Sequence, residues 1–227
     1  MKRYTFIILF FILLEIFNPF SNNIYAEVNN SILNQDSKIV SILKNGDNVE
    51  EIISNIRENK LVEWNTKDLN KLLDTVDIIG LSIMDRATLK REIIRESGFF
   101  NFDFKGTKSD VLAFKDLKIE VIEIDKPIML YRRSKSGEIE SKYGLGYWWG
   151  DKNRSIEETR NELAVLEAWG NPLNAEYIIQ IPKGVKVLRG ATASQIQYFN
   201  GTNTIKEYRE GGAIQYWISK VNNNWLK

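Results

Sequence analysis

Glu210-Gly211-Gly212-Ala213-Ile214-Gln215-Tyr216-Trp217-Ile218 is the stretch on which the reading of this chain turns. Ala213 to Ile218 reads as a buried strand, and the paired glycines ahead of it allow a tight entry. One residue does not fit the apolar run. Gln215 places a carboxamide in mid-strand, and an amide buried without partners is costly. It therefore either satisfies neighbouring backbone or faces a cleft. In a cleft it could accept from one hydroxyl and donate to another oxygen at once.

Upstream of this strand lie others of the same texture. Lys118–Ile124, Ile128–Tyr131, Gly146–Trp149, Tyr177–Ile181 and Val185–Leu188 are short apolar runs, several of them bounded by Gly, Pro or Asp. Ten of the 14 glycines and five of the six tryptophans lie beyond residue 130. One helix interrupts the strands. Ser155 to Trp169 opens with a Ser cap and Glu158 three residues on, and stops at Gly170-Asn171-Pro172. These features predict an α+β domain with a mixed or antiparallel sheet.

Two of the other strands carry candidate site residues. Ile128–Tyr131 ends in Arg132-Arg133, and because adjacent strand residues face opposite ways, one of the two points into any cleft. Arg132 is the residue expected to bind a phosphate through its planar fork. Gly144-Leu-Gly-Tyr-Trp-Trp-Gly-Asp151 sets Tyr147, Trp148 and Trp149 between glycines, where flat rings can meet a ligand closely. Alternation assigns at least one of Trp148 and Trp149 to the core.

The N-terminal part reads differently. Met1-Lys2-Arg3, the apolar run Thr5–Leu14 and small Ala26 predict a secretory signal over residues 1–26. That run is about 10 residues, half the roughly 20 a membrane span needs, so stable membrane insertion is not expected. From residue 27 to about 110 the pattern is helical. Ile39, Ile42, Leu43 and then Val49, Ile52, Ile53 and Ile56 follow three-and-four spacing. Thr66 is the expected cap of a helix carrying Leu69, Leu72, Leu73 and Val76, and Ser82 or Asp85 starts another with Leu89, Ile93 and Ile94 inward. Alternating charges here suggest solvated faces and no catalytic constellation.

Composition narrows the chemistry. The 227 residues are 43% hydrophobic and 27% charged, which suits a globular chain. Lys2, Arg3 and Glu15 are the charges of the first 26 residues, leaving 29 of each sign from the 31 basic and 30 acidic residues. Such a balanced chain has no global field for nucleic acid. With no Cys and no His it has no disulfides, no thiolate metal site and no Ser-His-Asp or Cys-His nucleophile. Any catalysis uses carboxylates, amides, hydroxyls, Arg, Lys and aromatic rings, and no metal site is expected.

An arginine closing an early strand, a glycine-flanked aromatic strand, a helix and a polar residue in a late strand resemble the ADP-ribosyltransferase superfamily. Gly211-Gly212-Ala213-Ile214-Gln215-Tyr216 is similar to the Gly-Gly-x-x-Gln-Tyr strand of the tuberculosis necrotizing toxin family of secreted NAD glycohydrolases. The strand, Pro turn, strand and glycine of Tyr177–Gly190 resemble the same family, and the likeness covers roughly residues 120–220. The resemblance implies an ADP-ribosyltransferase-like, NAD-binding catalytic domain with a split, mixed or antiparallel sheet over residues 111–227, with NAD as substrate and no permanently bound cofactor. It carries the family's glutamine onto Gln215, beside Gly212, and its strand-end arginine onto Arg132, with Arg133 the alternative. The aromatic position falls on Tyr147 or Trp148, and the second arginine on Arg154 or Arg160.

The superfamily's toxins mostly place a Glu where this chain has Gln215. A neutral amide favours transfer of the ribosyl group to water over transfer to a protein side chain, although Glu210, just before the turn, could still contact a target. The resemblance thus implies a secreted, toxin-like NAD glycohydrolase with a cognate inhibitor protein as partner. Two alternatives stand beside it: a mono-ADP-ribosyltransferase acting on a host protein, and a non-enzymatic secreted module that binds glycans or a cell surface through its tryptophans.

Overall fold

The computed structural model describes residues 37–44, 48–99, 108–140 and 144–227. The expected signal segment and its cleavage point lie outside these residues. Four helices come first: α1 (Ser37–Lys44), α2 (Val49–Glu58), α3 (Thr66–Val76) and α4 (Ile83–Glu96). Their starts follow capping chemistry. Asn48, Asn65 and Ser82 each accept a backbone N–H from the first turn. Asn65, and not Thr66, therefore caps α3, since its side-chain oxygen takes the N–H of Asp68 at 2.9 Å. The short α5 (Lys108–Leu112) leads into the sheet.

That sheet has six strands in the order β1-β5-β8-β3-β2-β4, every adjacent pair antiparallel. The strands are β1 (Glu120–Glu123), β2 (Ile128–Ser134), β3 (Trp148–Gly150), β4 (Ala175–Ile181), β5 (Lys186–Ala191) and β8 (Ile214–Trp217). The six strands form one sheet, narrowest where β2 and β3 pair at a single register position, Tyr131 opposite Gly150. A separate hairpin of β6 (Gln195–Tyr198) and β7 (Ile205–Arg209) lies between β5 and β8 in sequence.

Both edges of the sheet are occupied. Asn70 of α3 gives its Nδ2 to the Val121 carbonyl at 2.9 Å and takes the Val121 N–H at 2.7 Å, pairing as a neighbouring strand would. At the other edge the chain terminus bridges β4, with Lys227 donating its N–H to Ile178.

The faces of the sheet carry different loads. One face buries Leu130, Trp149, Tyr177, Ile179 and Val187 together with Ile218. The opposite face presents Val121, Leu188 and Trp217, which join Phe114, Leu117 and the helical residues Ile56, Leu73, Leu89 and Ile93 in one continuous core. Trp217 and Trp149 are each 1% exposed. The helical part therefore covers one end of one sheet face and leaves the other end of that face open. An ionic tie reinforces the contact. Asp77, at the end of α3, takes Lys90 of α4 and Lys118 of the segment before β1, each at 2.7 Å. Among the described residues no helix is long and apolar enough to cross a membrane.

The helix after β3, α6 (Ile156–Glu162), has the expected capping box between Ser155 and Glu158 but is half the expected length. Ala164 adopts a left-handed φ of 49°, and the buried Arg160 guanidinium donates to the Val165 and Asn171 carbonyls at 3.1 and 2.7 Å. Residues expected as its last two turns thus become a loop and a short 3-10 turn, Glu167–Trp169.

Candidate active site

Register places Gln215 at the centre of the open end of the sheet. Its cross-strand partners are Gly150 on β3 and Gly190 on β5, and Gly150 in turn pairs with Tyr131 on β2. Directly opposed residues share a face, so Tyr131 and Gln215 stand on one surface with two positions without side chains flanking the amide. Those glycines are required. A Cβ at Gly190 would stand 2.5 Å from the Lys118 carbonyl and 2.7 Å from Phe114, and one at Gly150 would stand 2.8 Å from Arg154 Nη1.

Above this row lies a cleft of about 360 Å³. Gln215, Tyr131 and Trp148 line its floor, Thr159, Leu163 and Val165 one wall, and Asp110 and Ala113 the other. Such a volume is at the small end of the roughly 300–1,000 Å³ of ligand sites. Gln215 is 6% exposed, and its Nε2 donates to the Ala113 carbonyl at 2.8 Å. The two readings of the amide therefore both hold: it satisfies neighbouring backbone and it borders a cleft.

The paired glycines ahead of β8 make this placement possible. Gly211 and Gly212 have φ of 74° and 96°, and the turn threads between two other segments. Gly211 and Ala213 donate their N–H groups to the Asn161 and Glu162 carbonyls at the end of α6, and Gly212 donates to Thr192. Carbonyls left over at a helix C-terminus are thereby satisfied by the entry to the strand.

The two arginines fall on opposite faces of β2. Arg133 stands opposite Glu176 and, two residues from Tyr131, shares the face of Gln215. Arg132 stands opposite the buried Tyr177, on the other face. It borders the cleft, but its guanidinium is spent on Glu138, at 2.8 and 3.1 Å, and on the Trp148 carbonyl at 2.9 Å. The reason is pairing with β4, which fixes the parity of β2. Arg133 donates to the Arg154 carbonyl and to Glu176 at 3.0 Å, and it is the cation on the cleft face of β2.

The remaining candidates divide. Trp148 lines the cleft and packs on Phe114 with ring centroids 5.4 Å apart. Tyr147 is 43% exposed, stacks on Trp217 at 5.7 Å and lies outside the cleft lining, and Trp149 is core. Arg154 is 5% exposed and is held by Asp151, Glu162 and the Lys152 carbonyl, so both it and Arg160 brace the loops around α6. Gly212 acts through the turn. Tyr131, Asp110, Ala113, Thr192, Gln195 and the exposed Trp169 also line the cleft. Tyr131 was not legible among these, because the face it takes depends on the parity of β2, which pairing with β4 fixes. The described residues contain no group of three or more His, Cys, Asp and Glu able to hold a metal ion.

No protein-family model matches the chain, and no curated protein does. Among solved structures, Tne2 in complex with Tni2 is similar over 48% of this chain and 86% of the other, at 14% identity and a TM-score of 0.34.

Proposed function

We propose that this chain is a secreted glycohydrolase that splits the nicotinamide–ribose bond of NAD and transfers the ribosyl group to water. The observation that carries the reading is a buried carboxamide, Gln215, on the floor of a ligand-sized cleft, in the strand whose Gly-Gly-x-x-Gln-Tyr pattern resembles that of secreted NAD glycohydrolases.

The chemistry suits a chain without histidine. The leaving group is already a cationic pyridinium, so the reaction needs little acid or base help. It needs a held pyrophosphate, a stacked nicotinamide and stabilisation of an oxocarbenium-like ribose. Arg133 supplies the cation for phosphate, Tyr131 and Trp148 offer flat faces, and Gln215 holds a ribose hydroxyl or the attacking water. A cognate inhibitor protein in the producing cell belongs to the same reading.

Incubating the protein with NAD and measuring free nicotinamide tests it. Turnover without label on protein is expected, with loss of at least 100-fold in Gln215→Ala and a fall of only a few degrees in Tm, since the Ala113 carbonyl keeps its second donor, the Ala193 N–H. A Gln215→Ala protein that still turns over NAD at the parental rate would sink the assignment.

A further inference from the structure

The Ala113 carbonyl lies on the cleft side of the segment joining α5 to β1, and it receives two donors: the Ala193 N–H and Gln215 Nε2, both at 2.8 Å. That segment lies close on the sheet because Gly190 leaves room for Phe114 and the Lys118 carbonyl, and an isolated bridge between Phe114 and Thr192 pins it there. A carbonyl oxygen accepts and cannot donate. The Gln215 amide must therefore turn its NH₂ group toward Ala113, because the opposite rotation would set two acceptor oxygens against each other in a largely buried site.

We propose that the Ala113 carbonyl is a positioning group that fixes the flip of the Gln215 carboxamide, so that the cleft is presented with an acceptor oxygen. The inference rests on the hydrolase reading for its ligand. An acceptor there takes a hydrogen bond from a ribosyl hydroxyl or from the attacking water, and its partial negative charge faces the carbon that becomes cationic. The linker from the helical part is thus a component of the site, and the polarity of Gln215 is set more than 100 residues away in sequence.

The test is Gln215→Glu, compared with the parent chain and with Gln215→Met. A glutamate in this position keeps the bond to Ala113 only when protonated, because an ionised carboxylate brings two acceptors and no donor. Burial and Asp110 of α5 favour the protonated form, while Arg132 and Arg133 of β2 and Arg154, whose guanidinium lies over Gly150 opposite position 215, oppose it. A carboxyl whose folded-state pKa is raised contributes stability below the ordinary glutamate value and loses it as pH rises through the raised value.

The expected result is a Tm for Gln215→Glu roughly 4–8 °C below the parent at pH 7.5, narrowing to about 2 °C at pH 5. Gln215→Met should show a deficit that does not change with pH. NAD turnover by Gln215→Glu should recover on acidification relative to the parent. A deficit that is absent, or equal at both pH values, overturns the proposal. If Gln215→Glu is unfolded at pH 7.5, folding on acidification counts for it and failure at both pH values against it. The pH-dependent Tm gap in a parent chain without NAD turnover would leave the flip established and remove the hydrolase reading.

Discussion

The guanidinium of Arg132 lies directly against Gly146, with Nη2 2.5 Å and Cζ 2.8 Å from where a Cβ on that residue would stand. The same guanidinium holds Glu138, which is 8% exposed, through two hydrogen bonds. Glycine at 146 is thus what lets the aromatic segment before β3 close over the ion pair. Arg132 is a fastener between β2, β3 and the turn carrying Glu138.

Substitutions at this pair should act on stability. Arg132→Ala leaves the buried carboxylate without its cation and is expected to cost about 3–5 kcal/mol. Gly146→Ala must push the guanidinium aside and should cost about 1–3 kcal/mol. Urea titration of both proteins measures the loss. Parental stability in Arg132→Ala would mean that the pair contributes nothing to the fold.

Arg133→Ala should behave in the opposite manner. Its guanidinium is on the cleft face and bonds the Arg154 carbonyl and a partly exposed Glu176, so its removal strands no buried charge. Loss of one charge-assisted contact to phosphate corresponds to a KM for NAD raised by roughly 10- to 100-fold, with kcat and Tm little changed. Steady-state kinetics with NAD separates the two arginines. If Arg132→Ala raises KM in a stably folded protein and Arg133→Ala does not, the cleft cation is the other residue.

Acid should loosen α6 first. Glu158 takes the Ser155 backbone N–H at 2.7 Å, which with the Ser155 hydroxyl holds its carboxyl below the ordinary 4.5. Glu162 is held below the same value chiefly by Arg154, then by Lys152. Both groups ionise more readily in the folded chain than in the unfolded one. Their contribution is therefore complete above the ordinary value and lost as pH falls below it. In Glu158→Gln and Glu162→Gln the drop in Tm between pH 5 and pH 3 should be shallower than in the parent. An unchanged slope in both would show that neither carboxyl is held by the fold.

The strands were legible because each is short, apolar and stopped by a turn residue, and the observed limits of β2, β4, β5 and β8 fall within a few residues of the runs that signal them. The caps at Ser82 and Ser155 were legible for a similar local reason. What was not legible depends on pairing. Alternation says that Arg132 and Arg133 face opposite ways, but their parity relative to Gln215 is fixed by Tyr177 on β4, more than 40 residues on. Ala113 and Trp169 reach the cleft from α5 and the loop after α6, and a lone backbone carbonyl has no sequence signature. The β6–β7 hairpin lacks a clear one as well: Gln195-Ile-Gln-Tyr198 alternates, but Ile205-Lys-Glu-Tyr-Arg209 spaces its apolar residues by three, and the pairing has a register shift at Gln197 and Tyr198. Its apolar residues face outward, with Ile196, Tyr198, Ile205 and Tyr208 between 42% and 53% exposed, so it offers no core pattern to read.

The two glycines before β8 should respond unequally to alanine, although both have positive φ. At Gly211 a Cβ would stand 2.7 Å from the Thr192 carbonyl and 2.8 Å from that of Ala193, while at Gly212 nothing lies within 4 Å. Gly212→Ala then costs the conformational penalty of about 1–2 kcal/mol that a side chain in this region incurs. Gly211→Ala incurs the same penalty and also forces two backbone segments apart, one of which continues from Gly190 and Thr192 beside Gln215. A cost of about 3 kcal/mol or more is expected, with turnover falling further than stability because the amide moves with the strand. Tm and NAD turnover measured on the two proteins decide this. Equal losses would place the constraint in φ alone and remove the close approach of Thr192 and Ala193 as the reason for the first glycine.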